Sequence, residues 1–264
     1  MASVTFQPMS PLFAAHFADA DVPKDTYDPA LNGFDESDGR DWQMVPVSRK
    51  RFMKLTVLGA SGRIGGEIVR QAAAAGHDVT AVVRRGSVVG DPPEDLRLLE
   101  VERVDDPERL APAMAGRDVV MSGLGARRLG DAGIVAPMTR TLLDAMKRAG
   151  VHRVLAVSAA PLGPVHPDDS FVSRRLMFPL LSTILRKVYD DLREMEEELA
   201  QSGYEWTAVR PPRLVDRAVT GHYRTAVEAN LPRGGTISRA DVAHAMLAMV
   251  EDRRTFRHAV GVAW

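Results

Sequence analysis

The sequence predicts an α/β fold, a parallel sheet wound on both faces by helices, and three observations carry that expectation. From Met53 onward, short apolar runs rich in valine and leucine alternate with longer amphipathic ones. The first such pair is joined by a glycine-rich turn, Leu58-Gly-Ala-Ser-Gly-Arg-Ile-Gly65. Helical runs meet stop signals at Gly76, Gly150 and Gly203. Ligands of such sheets bind above the carboxyl ends of the strands.

The elements follow in order. Leu55–Leu58 reads as the first strand and Ile64–Ala75 as the first helix. Val79–Val83 is the second strand and Leu96–Val101 a weaker third. Pro107–Ala115 suits a helix, because a proline in the first turn has no N–H to lose there. Asp118–Met121 is the fourth strand, a long helix runs from Ala132 to Ala149, and Val151–Val157 is the fifth strand. Leu181–Gln201 is a charged amphipathic helix in which Glu194-Met-Glu-Glu-Glu198 reads as a solvated face. Trp206–Val209 is the sixth strand. Ser238-Arg-Ala-Asp241 opens a further helix with Ser238 as N-cap, a variant of the capping box. The stretch between the sixth strand and that helix is expected to form a small substrate-binding region.

Residues 1–52 differ from the rest. Acidic segments such as Asp35-Glu-Ser-Asp-Gly-Arg-Asp41, broken by proline and glycine, show no sustained period and read as a disordered or loosely packed extension. The folded domain is expected over 53–264. A chain of 264 residues with 45% hydrophobic content can bury one substantial core. Its net charge of −1 gives no reason to expect nucleic acid or an anionic membrane as partner. The absence of cysteine excludes disulfides, thiolate metal sites and a cysteine nucleophile. No His/Asp/Glu spacing suggests a metal. No apolar run approaches the roughly 20 residues that span a bilayer, and the N-terminus lacks the basic start and apolar core of a secretory signal. A cytoplasmic monomer or homodimer acting on a small molecule is expected.

The turn carries the chemistry. Gly59 allows a tight bend, Gly62 lets backbone approach a pyrophosphate, and Gly65 lets helix pack closely on strand. A tight turn with no ligand is the alternative, but a strand before it and a helix after it agree with nucleotide binding. NAD-specific sites usually end the second strand with an acidic residue. Here the strand ends in Arg84 and Arg85, and Arg63 lies in the turn itself. A guanidinium offers a charged planar fork for a 2′-phosphate, so NADP(H) is the expected cofactor, with Arg84 as its phosphate ligand. A solvated basic turn is the other reading of these arginines, and Arg85 is the one that suits it.

Further segments sharpen this. Gly59-Ala-Ser-Gly-Arg-Ile-Gly65, Val79-Thr-Ala-Val-Val-Arg84, Ala115-Gly-Arg-Asp-Val-Val120 with Leu124-Gly125, Val157-Ser158-Ala159 and Asp190-Asp191 occur in order. Thr207-Ala-Val-Arg-Pro-Pro212 and Ile237-Ser-Arg-Ala-Asp-Val-Ala243 follow them. With these the chain resembles the atypical short-chain dehydrogenase/reductase proteins of the NAD(P)H-binding, NmrA-like kind, in particular the biliverdin-IXβ/flavin reductase group. The resemblance implies a Rossmann-like domain. It implies that Gly59, Ser61, Gly62, Arg63, Ile64 and Gly65 hold the pyrophosphate and Arg84 the 2′-phosphate. By the same resemblance Leu124 and Gly125 line the adenosine path, Ser158 approaches the nicotinamide, and Pro211 and Pro212 wall its carboxamide side. Family members often carry an aspartate after the third strand for adenine; here Glu102-Arg103-Val104-Asp105 puts Arg103 in that place, to stack on or bond to adenine, unless Asp105 shifts in.

Orthodox short-chain dehydrogenases pair a tyrosine with a lysine four residues on, and no Tyr-x-x-x-Lys occurs here. Tyr189-Asp-Asp-Leu-Arg193 comes closest, so Tyr189 is a candidate acid, against the reading of a half-buried helix tyrosine. Direct hydride transfer to a flavin, quinone or tetrapyrrole needs no tyrosine: a proton could come from solvent or from Ser158, whose hydroxyl could equally bond backbone at a strand end. Pro161–Pro167 and Phe171–Phe178 are expected to wall the pocket, with His166, His222 and Tyr223 as further candidate donors. The expected activity is therefore an NADPH-dependent reductase of a conjugated small molecule. A redox-sensing regulator without catalysis and an epimerase or dehydratase are the alternatives, and the missing Tyr-x-x-x-Lys argues against the last.

Overall fold

The fold is described by a computed structural model over residues 52–125, 132–164 and 185–264. The expected extension over 1–52 falls, apart from Phe52, outside these residues. The chain runs β1 (Lys54–Leu58), α1 (Arg63–Ala74), β2 (Asp78–Arg84), β3 (Arg97–Val101), α2 (Pro107–Met114), β4 (Val119–Ser122), α3 (Val135–Ala149) and β5 (Arg153–Val157). It continues through α4 (Arg186–Gln201), β6 (Glu205–Arg210), β7 (Arg213–Val215), β8 (Arg224–Val227), β9 (Thr236–Ser238), α5 (Arg239–Ala248) and β10 (His258–Ala263).

Among the described residues, eight strands form one sheet in the order β3-β2-β1-β4-β5-β6-β10-β8. Every pairing is parallel except β10 with β8. The order reverses direction between β1 and β4, and this is the switch point at which an open α/β sheet leaves a crevice above its strand ends. β7 and β9 pair as a separate parallel ribbon.

The apolar runs of the central strands follow from cover on both faces. Leu55, Val57, Ala81 and Val83 pack with Ile68, Val69 and Ala72 of α1 and with Val242 and Met246 of α5. Leu58, Val82, Val120, Val154 and Ala156 face the other way, toward Leu110 and Met114 of α2, Leu142 and Met146 of α3, and Leu192, Met195 and Leu199 of α4. Asp106 caps α2 by accepting the N–H groups of Glu108 and Arg109. Gly150 ends α3 in the left-handed conformation. Ser238 caps α5 as expected, its hydroxyl accepting the Asp241 N–H at 2.9 Å.

The expected elements appear with shifted ends. α3 begins at Val135 rather than Ala132, and α4 at Arg186, since 181–184 lie outside the described residues. β10 is an addition to the expected strands: its run Ala259-Val-Gly-Val-Ala263 joins β6 in parallel. Gly261 lets the chain cross it closely, for a Cβ there would stand 2.4 Å from the Ala229 carbonyl oxygen. No helix among the described residues is long and apolar enough to cross a membrane.

Candidate dinucleotide site

The glycine turn lies where β1 reaches the switch point. Gly59 takes φ +71, and a Cβ on it would stand 3.0 Å from the Gly123 carbonyl carbon. The Gly62 N–H donates to Gly59 O at 2.8 Å, which closes the turn. Gly62 is also the N-cap of α1, with extended backbone and no side-chain cap. No acidic residue occupies the first turn of α1. The first N–H groups of a helix have no partner within it, so this end presents donors and positive dipole to the crevice. A Cβ on Gly65 would stand 2.2 Å from Gly59 O, and one on Gly123 2.9 Å from Gly65 Cα. Three backbones therefore meet where side chains cannot, which leaves a cradle free of side chains beside the N-terminus of α1. These residues fit a pyrophosphate. Ser61 and Ile64 lie half-buried in the same turn and Arg63 is exposed.

The arginines differ in what holds them. Arg84 is exposed at the end of β2, one strand from the turn, and its guanidinium has no ionic or hydrogen-bonding partner among the described residues. Arg85 pairs with Glu102 at 2.7 Å. Arg63 pairs at 2.7 Å with Asp216, which also takes Arg239 at 2.7 Å. Arg103 pairs with Asp105 on the surface after β3. Leu124, half-buried, donates its N–H to the Ser122 hydroxyl at 3.4 Å, and Gly125 is exposed beside it.

Ser158 follows β5, two strands from β1, and is 5% exposed. Its N–H donates to Val209 O at 2.7 Å. Its hydroxyl donates to a Glu196 carboxylate oxygen at 2.5 Å, and the same oxygen accepts from Arg210 Nε at 2.9 Å. The second Glu196 oxygen accepts from Arg210 Nη2, so the guanidinium holds the carboxylate in a fork. Both side chains are only 12% exposed. That hydrogen bond to Glu196 outweighs burial and raises the Arg210 pKa further above its ordinary value. Glu196 therefore departs from the solvated face expected of the glutamate run. The sequence carries a signal for this: Leu192, Met195 and Leu199 are buried on the same helix, and Glu196 stands four residues from the first and three from the last. Pro211, buried after β6, accepts the Ala160 N–H at 2.9 Å through its carbonyl.

Tyr189 is half-buried on α4 beside the α2–α3–α4 core, and burial raises its phenol pKa. Its hydroxyl has no hydrogen-bond partner among the described residues, and Arg193 pairs with Asp190 at 2.8 Å instead. The neighbouring Asp191 is structural. Its carboxylate accepts the N–H groups of Gly133, Val135 and Ala136 at 2.9–3.0 Å and so caps α3 from outside. His222 is exposed. Tyr223 bonds His244 Nδ1 at 2.7 Å, and burial with the Asp241 charge pushes its pKa up to about 12. His166 and Phe171–Phe178 lie outside the described residues. A cavity of about 710 Å³ opens elsewhere, between α3 and α4. His152, Gly203 and Tyr204 line it where β5 and β6 begin, the end of the sheet opposite the glycine turn.

Comparison with known proteins agrees with this geometry. The chain is 31% identical over 205 residues to the Bacillus subtilis protein YwnB, covering 75% of this chain and 92% of YwnB. A Burkholderia pseudomallei protein assigned as an exported protein superposes with a TM-score of 0.65 at 28% identity, over 81% of this chain and 100% of that one. A Streptococcus pneumoniae TIGR4 protein assigned as an NADH-flavin reductase shares the fold at 22% identity and a TM-score of 0.62, over 80% of this chain and 99% of that one. Residues 59–253 match the NAD(P)H-binding family, and the chain belongs to that family.

Proposed function

We propose that the chain is an NADPH-dependent reductase that delivers hydride to a conjugated small molecule such as a flavin or quinone. The observation that carries this reading is the pairing of a glycine cradle with Arg84, a cation one strand away whose side chain has no partner among the described residues. In a doubly wound sheet the ribose next to adenine reaches the end of the second strand, where Arg84 would meet a 2′-phosphate. The nicotinamide half would then extend over β4 and β5 toward Ser158. Bound NADPH supplies a hydride, and a proton from water completes the two-electron reduction of the acceptor. The residues of this chain bind and orient: the α1 N–H groups hold the pyrophosphate, and Pro211 beside Ser158 bounds the nicotinamide. The assignment of the Streptococcus pneumoniae protein as a flavin reductase supports a flavin as the first acceptor to try. The substrate is proposed to be a small molecule, with neither nucleic acid nor membrane as partner, in keeping with the net charge of −1.

The test is steady-state oxidation of NADPH and of NADH by the full chain with flavins, quinones and a linear tetrapyrrole as acceptors. The expected result is turnover with at least one acceptor and preference for NADPH. Tight binding of NADP⁺ with no turnover across the panel would replace this reading by that of a redox-sensing regulator.

A further inference from the structure

The Ser158–Glu196–Arg210 array fixes a hydrogen atom. Ser158 has one hydroxyl proton, and it points into the Glu196 carboxylate at 2.5 Å. Glu196 is held in turn by the Arg210 fork, so its two oxygens are committed on the protein side. A hydroxyl is one donor and two acceptor lone pairs. With its donor spent on Glu196, what Ser158 Oγ can offer a ligand over β5 is a lone pair. Reversing this would turn the proton away from a carboxylate that is only 12% exposed and forfeit a charge-assisted hydrogen bond, leaving Arg210 Nε as that oxygen's remaining donor, which is costly. Arg210 ends β6, Ser158 follows β5 and Glu196 stands on α4, so three elements converge to set one hydroxyl.

We propose that Ser158 acts as a hydrogen-bond acceptor for the bound dinucleotide, taking an N–H of the nicotinamide carboxamide, and that Glu196 and Arg210 are the positioning residues that impose this role. The inference rests on the dinucleotide reading of the cleft. It differs from the expectation that Ser158 supplies the proton to the reduced acceptor: the proton then comes from water, and Ser158 serves cofactor orientation.

The experiment measures NADP⁺ affinity by calorimetry and the solvent deuterium isotope effect on turnover, for wild type, Ser158→Ala, Glu196→Gln and the double variant. Removing one oriented hydrogen bond to a ligand should raise the NADP⁺ Kd about tenfold in Ser158→Ala. Its isotope effect at saturating cofactor should match wild type. Glu196→Gln should weaken NADP⁺ comparably in the wild-type background and add nothing once Ser158 is alanine, because it acts through that hydroxyl. Unchanged NADP⁺ affinity in Ser158→Ala with an altered isotope effect would overturn the proposal in favour of Ser158 as proton donor. Equal losses from Glu196→Gln in both backgrounds would overturn the positioning role. Should Glu196→Gln fail to fold, Ser158→Ala, which removes one oxygen at a strand end, still decides the acceptor role. If wild type binds neither NADP⁺ nor NAD⁺, the dinucleotide reading itself fails and the Ser158 role falls with it; if wild type binds and the variants do not differ, the Ser158 role alone fails.

Discussion

Arg84 and Arg85 are adjacent in sequence and opposite in circumstance. Arg85 gives its charge to Glu102 at 2.7 Å, while the Arg84 guanidinium has no partner among the described residues. A phosphate contact from one guanidinium is a charge-assisted hydrogen bond, worth about 1.5–3 kcal/mol. Arg84→Ala should therefore weaken NADPH about ten- to a hundredfold in a fluorescence titration and leave NADH nearly unchanged. Arg85→Ala should alter either cofactor by about threefold at most, since an exposed ion pair is worth little. Equal losses of NADPH and NADH in Arg84→Ala would remove the 2′-phosphate assignment. The rule that NAD sites end the second strand with an acid makes Arg84 readable from sequence alone. The same reading sets Arg85 aside as an exposed arginine, but does not show the partner that occupies it: Glu102 comes from just beyond β3, seventeen residues away. Glu196 gives a mixed signal: in a run of four glutamates and one methionine charge density argues for solvent, its spacing from Leu192 and Leu199 argues for the covered face, and the partner Arg210 makes its burial tolerable.

At the scale of elements, the start of α1 depends on a residue outside the glycine motif. Gly59, Gly62 and Gly65 are visible as a motif because they lie in one turn, and the strand before and helix after confirm the register. Gly123 belongs to the same contact but comes from the end of β4, and Ser122-Gly-Leu-Gly125 has no spacing that ties it to β1. Only the parallel pairing of β1 with β4 brings them together. A methyl group at Gly123 would sit 2.9 Å from Gly65 Cα, against backbone that cannot yield as a side chain does. Gly123→Ala should cost about 1–3 kcal/mol of stability by overpacking and widen the cradle, so chemical denaturation and NADP⁺ titration should both register it. The α3–α4 junction makes the same point. Asp191 reads in sequence only as one of two aspartates on a charged helix, yet it is buried and caps α3, whose own N-cap, Ile134, has no side-chain acceptor. Asp191→Ala leaves three N–H groups without their acceptor and should cost on the order of 2 kcal/mol, measured by urea denaturation.

For the molecule as a whole, Asp241 ties the last third of the chain together. Its carboxylate accepts the N–H groups of Thr220 and Gly221 at 2.7 and 2.9 Å, the hydroxyls of Thr220 and Ser238 at 2.9 and 3.0 Å, and Trp264 Nε1–H at 2.9 Å. One fully buried side chain on α5 thus joins the segment after β7, the end of β9 and the C-terminal residue. The capping role could be read from Ser238-Arg-Ala-Asp241, but the other partners come from segments without periodic pattern. Burial alone would raise the Asp241 pKa; the hydrogen bonds from Thr220, Gly221 and Trp264 outweigh it and bring the pKa below its ordinary 3.8. A lowered carboxylate pKa means that the folded state binds its proton less readily than the unfolded chain. The stabilisation is therefore complete above about pH 4 and is lost as pH falls below that toward the folded value. In Asp241→Asn the amide can accept at one oxygen only and places an NH₂ group against donors. Stability at neutral pH should fall by about 1–3 kcal/mol, a loss of roughly 2–10 °C in Tm for a domain of this size. As pH falls from about 4 toward and through the folded value the wild type should lose this advantage, so the two melting curves should converge there. A difference in Tm that stays constant across that range would mean that the carboxylate charge contributes nothing, and that Asp241 acts there through shape alone.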